Sequence, residues 1–159
     1  MKKIFAALIL LCLLLTSCGA KYPGLPKNAV AFKTGTFSEE REKNSHLTFE
    51  YKGRKYVSYS TIEKAISGDE IDECIGYIIQ DETNSSLPDK SNTDQRVYTL
   101  KDDKKKNYLM VYYIETSMMN QPEFFRADDT RGKDISTPDY ISESEYDYWK
   151  SGGSNVTEK

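Results

Sequence analysis

Side chains able to carry chemistry are sparse in this chain. Among 159 residues there is one histidine, His46, and three cysteines, Cys12, Cys18 and Cys74. A Ser–His–Asp triad needs a general base between its nucleophile and an orienting acid. His46 stands in "KNSHLTFE" with no activating motif beside it and reads as a surface residue at the edge of a strand. A zinc centre needs three or four Cys, His or carboxylate ligands, which one histidine and so few thiols make improbable. Two acidic clusters are present, Asp69 to Glu73 ("DEIDE") and Arg126 to Asp134 ("RADDTRGKD"). Neither has the acid spacing, central glycine and terminal glutamate of a calcium loop. The first reads as an acidic turn before a strand. In the second, Arg126, Arg131 and Lys133 can pair with the acids around them. No glycine-rich phosphate loop occurs, and no pair of carboxylates is marked out for glycoside cleavage. No metal, no cofactor and no enzymatic activity are therefore expected.

Tyrosine is the abundant functional type, with twelve copies. It is amphipathic and enriched at binding surfaces. "LTFEYKGRKYVSYS" places Leu47, Phe49 and Tyr51 on one face of a strand and leads through "KGR" into a second strand. A three-residue loop, Lys52 to Arg54, would set Phe49 opposite Val57 and Leu47 opposite Tyr59, whereas a two-residue loop would place these sets on opposite faces. The longer loop is expected, giving an edge hairpin whose Tyr51, Tyr56 and Tyr59 are the candidate protein-binding residues. Cys74, in "CIGYII", reads as a small buried hydrophobe.

The elements that would hold these residues are mostly strands. Besides the hairpin, Glu73 to Gln80, Arg96 to Leu100 and Tyr108 to Ile114 are rich in aromatic and β-branched residues. Tyr108 to Ile114 is apolar on both faces, as in a strand covered on two sides. "TIEKAIS" (Thr61 to Ser67), with Ile62, Ala65 and Ile66 on one stripe and Gly68 behind, predicts a short helix. Ser142 and Glu145 have capping-box spacing and predict a second helix to Lys150. "MMNQPEFF" (Met118 to Phe125) reads as core or as an adaptable surface, bent at Pro122. The polar run Asp81 to Gln95 reads as disordered. Lys104 to Lys106 reads as a solvated turn.

The N-terminus is a different kind of segment. Lys2 and Lys3 precede an apolar run from Ile4 to Leu15, followed by small residues. A charged start, a short apolar stretch and small residues at a cleavage point make an export signal. A membrane-spanning helix needs about 20 apolar residues, more than this run holds. Leu15-Thr16-Ser17-Cys18 resembles the lipobox of bacterial lipoprotein precursors. The resemblance implies cleavage between Ser17 and Cys18 and a diacylglyceryl group on the Cys18 thiol. Two acyl chains anchor a protein stably where one does not. The chain also resembles, in composition, the small single-domain lipoproteins of low-GC Gram-positive bacteria.

Loss of residues 1–17 leaves 142 residues, one domain's worth. Losing Lys2 and Lys3 takes the net charge from −3 to −5, a balance that does not suggest nucleic acid. The expected organisation is a signal peptide (1–17), a lipidated N-terminus and flexible tether (18–28, "GAKYPGLPKN" after Cys18), an α+β domain (29–150) and a disordered tail (151–159). The domain is expected to be a mainly antiparallel sheet with one or two short helices. Its expected function is non-enzymatic binding on the extracytoplasmic face of the cell membrane, held by the lipid on Cys18, with a protein partner at the cell surface. The alternatives are an inhibitor or immunity-type lipoprotein against an exported enzyme or toxin, and a carboxylate-based hydrolase.

Overall fold

The computed structural model describes residues 22–38, 45–79, 94–114 and 121–150. Apolar alternation becomes strand almost throughout. Among the described residues eight strands form: β1 (Val30–Lys33), β2 (Gly35–Ser38), β3 (Ser45–Tyr51), β4 (Arg54–Thr61), β5 (Ile71–Ile79), β6 (Gln95–Leu100), β7 (Tyr108–Tyr113) and β8 (Glu123–Ala127). They make one sheet in the order β1-β5-β6-β7-β8-β4-β3-β2. The two strands that end this order are neighbours in the chain, separated only by Thr34. One bent segment thus pairs at its start with β5 and at its end with β3. The sheet is curled into a nearly closed barrel.

Closure explains the one parallel pairing. If β1 and β2 count as a single bent strand, seven strands go round the barrel. An odd number cannot alternate in direction all the way, so one neighbouring pair must run parallel. That pair is β1–β5; the other pairings are antiparallel. Gly76 makes it feasible, because a Cβ there would lie 2.0 Å from the Val30 carbonyl oxygen and 2.7 Å from the Phe32 ring.

Two apolar layers result. Phe32, Phe49, Tyr51, Tyr56, Val97, Leu109 and Phe125 fill the barrel, and Phe32 meets Phe49 at 5.2 Å between ring centroids. The other face carries Val57, Tyr59, Tyr98, Tyr108, Met110 and Phe124. It is covered by the C-terminal segment through Tyr140, Ile141, Tyr148 and Trp149, and by Tyr22 and Leu25. Tyr108 to Tyr113 lies between the two layers, as its two-sided apolar pattern requires.

The expected α+β architecture is overturned. The described residues are almost all β, with a 3-10 turn at Asp128–Thr130 and one helical turn, α1 (Asp147–Lys150). Seven residues from Thr61 are too few to nucleate a helix without tertiary help, and here tertiary contacts favour extension. Thr61 ends β4, Ile62 bridges Ile141, Glu63 N–H donates to Tyr140 O and Ser142 N–H donates to Thr61 O. Ser142 Oγ also donates to Thr61 O, so it is not the cap of a helix beginning there.

The hairpin register is corrected as well. Lys52 and Gly53, at φ 51° and 74°, form a two-residue turn with Tyr51 opposite Arg54, the left-handed pair whose twist suits a hairpin. Phe49 faces Tyr56, and Val57 faces Thr48. The longer loop was expected because it keeps all apolar residues on one face, but both faces of β4 are buried. The hairpin is also internal, with β3 beside β2 and β4 beside β8. The tether is shorter than expected: Tyr22 stacks on Tyr112 at 4.9 Å and Leu25 packs on the outer layer. Residues 1–21, most of the polar run after β5, Met118–Asn120 and the tail lie outside the described residues, and with them Ser17 and Cys18.

Candidate functional site

Arg126 is the side chain that the fold treats least conventionally. Strand β8 alternates, sending Phe125 and Ala127 into the barrel and Phe124 and Arg126 to the outer layer. Arg126 lies level with Val57 on β4 and Tyr108 on β7, so its charge starts from the middle of the sheet. It is 9% exposed. The guanidinium carbon stands 5.2 Å from the Trp149 ring, 5.5 Å from Tyr59 and 5.8 Å from Tyr108, an aromatic enclosure that attracts a cation through the ring quadrupoles. Nε donates to Thr130 Oγ1 at 2.8 Å, and Nη2 donates to Thr130 O at 2.8 Å and Lys133 O at 3.1 Å. Thr130 Oγ1 donates in turn to Ala127 O.

No carboxylate lies within 4.0 Å of this guanidinium among the described residues. The expectation that Arg126 would pair with the acids of its own segment is thus not met. Two of those acids are engaged elsewhere: Asp129 takes both Nε (3.0 Å) and Nη2 (2.6 Å) of Arg54, and Asp128 accepts from the Tyr148 hydroxyl. The Asp129 carboxyl is held low by that bond to Arg54.

Arg126 lines a cleft of about 370 Å³, whose walls include Tyr59, Trp149, Thr137, Ile141 and Glu143. The walls are fixed. Trp149 Nε1 donates to Ser58 O at 2.8 Å, and Tyr108 shares a hydrogen bond with Thr137 at 2.7 Å. A second cleft, about 730 Å³, shares Tyr59, Glu143, Ser144 and Lys150 with the first and adds Ser60, Glu63, Glu123 and Glu145. Burial raises the Glu123 carboxyl. Fixed aromatic walls, a buried cation and a mixed polar rim are the makings of a small-ligand site.

The sequence-predicted residues fall differently. Tyr51 and Tyr56 point into the barrel, at 9% and 1% exposure, and Tyr56 OH donates to Lys106 O at 2.7 Å. Tyr59 points the other way and is the one of the three that reaches the Arg126 cleft. The three therefore share no exposed face. His46 is not on the surface. It is fully buried, with ring centroids 5.0 Å from Tyr146, 5.2 Å from Phe37 and 5.3 Å from Tyr148. Cys74 is buried, its thiol raised by desolvation and donating to Gly76 O at 3.7 Å. No group of three or more metal-ligating side chains occurs among the described residues. Arg126 was missed because its segment is full of acids. The available signal was its position two residues after Phe124 in "EFFRA", where strand alternation puts it on an apolar face. Comparison of the chain with family models, curated proteins and solved structures found no match to any of them.

Proposed function

We propose that the protein is a non-enzymatic binding module, anchored by a lipid on Cys18 to the extracytoplasmic face of the cell membrane, and that it binds through the Arg126 cleft. The observation supporting a binding role is the buried guanidinium, which has no carboxylate partner among the described residues and opens on a rigid aromatic cleft. A buried charge is normally paired, and one left with only carbonyl, hydroxyl and ring partners retains capacity for an anion. The anchor rests on the Leu15-Thr16-Ser17-Cys18 pattern. With Cys18→Ser, a palmitate analogue should no longer label the chain; retained label would remove the anchor. For the binding role, a photoreactive residue replacing Lys150 at the cleft rim should capture a defined partner on intact cells, and one replacing Lys33 on β1 should not. Equal capture from both positions would remove the cleft as the binding site.

The hydrolase reading has one observation in its favour. Glu123, exposed at the start of β8, shares a cleft with three other glutamates, and partial desolvation raises its carboxyl, the direction a general acid requires. It predicts turnover of a chromogenic glycoside that Glu123→Gln abolishes.

A further inference from the structure

Arg126 offers three nitrogens, and the fold uses two of them. Nε and Nη2 are committed to Thr130 and Lys133, while Nη1 makes no hydrogen bond to any described residue. We propose that the Arg126 cleft binds a single carboxylate carried on an apolar body, with the carboxylate on Nη1 and the body against Trp149 and Ile141. This rests on the reading of the cleft as the binding site and names what it takes.

The choice of a monoanion follows from the charges around the cleft. One guanidinium nitrogen can meet a carboxylate, whereas a phosphate dianion calls for several donors and more positive charge. Asp139 and Glu143 line the same cleft and would repel a second negative charge. Of the nearby cations, Lys64 is paired with Asp139, and Lys150 Nζ donates to Glu145 O at 2.8 Å. The apolar body follows from Trp149, Ile141 and Pro138 in the wall. A volume of about 370 Å³ is near the small end of ligand sites and holds something the size of one residue. Both a free aryl or alkyl acid and the C-terminal residue of a peptide have this chemistry.

The chain has one tryptophan, and Trp149 is in the cleft wall, so its fluorescence reads occupancy directly. The full chain is titrated with N-acetylphenylalanine, N-acetylphenylalanine amide, inorganic phosphate, and a tripeptide ending in phenylalanine with a free or an amidated terminus. The free acids should shift the emission at least tenfold more tightly than their amides, and phosphate should not. Tighter binding of the tripeptide than of the N-acetyl acid marks a chain terminus as the source; the reverse order marks a small acid. Arg126→Lys should weaken the acids at least tenfold. Because that change also removes the ties to Thr130 and Lys133, Glu143→Gln serves as a second variant at an exposed rim position. It should tighten the acids about two- to threefold, the scale of an exposed charge interaction, and leave the amides unmoved. Acid and amide binding alike would overturn carboxylate recognition and leave the binding role standing. No response to any probe up to about 10 mM, weaker than any useful affinity, would overturn the ligand class, and the binding role would then be judged by the rim crosslinks alone.

Discussion

At the residue scale, burial of phenols governs how the molecule meets alkali. Desolvation pushes Tyr56, Tyr98 and Tyr108 each up to about 12, against about 10 for an exposed tyrosine. Between these values the folded state keeps protons that the unfolded chain releases. Their contribution to stability is whole below about pH 10 and is lost as pH rises through about 12. Ionisation of these three phenols should therefore come late in an alkaline titration, their tyrosinate absorbance rising together with loss of near-ultraviolet dichroism. Full ionisation with the dichroism intact would show these phenols to be accessible. The abundance of tyrosine was plain in the sequence, but its role as packing was not. Tyr51 and Tyr56 look like surface aromatics only while the hairpin is taken to have one wet side. Arg126 is the mirror case, since local charge suggested a solvated partner for a side chain whose surroundings are set by Tyr59, Tyr108 and Trp149 from three distant segments.

At the element scale, strands were legible and their closure was not. Five of the eight, β3 to β7, follow from aromatic and β-branched runs. β1 and β2 are four residues each, too short to show a period, and β8 was hidden behind Pro122 in a segment read as a bend. The helix predicted from Thr61 fails because its stripe of Ile62 and Ile66 is served equally well by packing on the outer layer in extended form. Closure depends on Gly76, and a prediction follows. Gly76→Ala puts a methyl against the Val30 carbonyl, which is backbone and cannot rotate away. The cost should be about 1–3 kcal/mol, the usual range for overpacking, and β1 should detach before the antiparallel strands do. Hydrogen exchange would show it as early loss of protection in residues 30–33 with β6 and β7 still protected. Uniform loss across the sheet would mean that β1 is not a separable closing strand. Gly53→Ala makes the comparison. It strains a left-handed turn with open space around it, so it should cost about 1 kcal/mol without singling out β1.

At the scale of the whole molecule, the domain begins before residue 29. Tyr22 stacks on Tyr112 at 4.9 Å and tilts against Tyr98 at 5.9 Å, and burial raises its phenol. The Ala29 N–H donates to Pro26 O at 3.1 Å, closing the turn that delivers the chain into β1. Residues 22–28 are therefore part of the cover over the outer layer, where a flexible tether was expected. Four peptide units separate Cys18 from Tyr22, a span of at most about 14 Å. A lipid on Cys18 would hold the outer face of β6 and β7 near the bilayer, not at the roughly 30 Å that ten extended residues would allow. A truncation pair tests the boundary. A chain of residues 22–150 should melt close to one beginning at Cys18, because every contact of Tyr22 and Leu25 is kept. A chain of residues 29–150 loses a half-buried tyrosine and a leucine, about 1–2 kcal/mol on the scale of partial apolar burial. For a domain of this size that corresponds to a fall of roughly 4–10 °C. Equal melting temperatures for the two would return residues 22–28 to the tether and free the domain to stand further from the membrane.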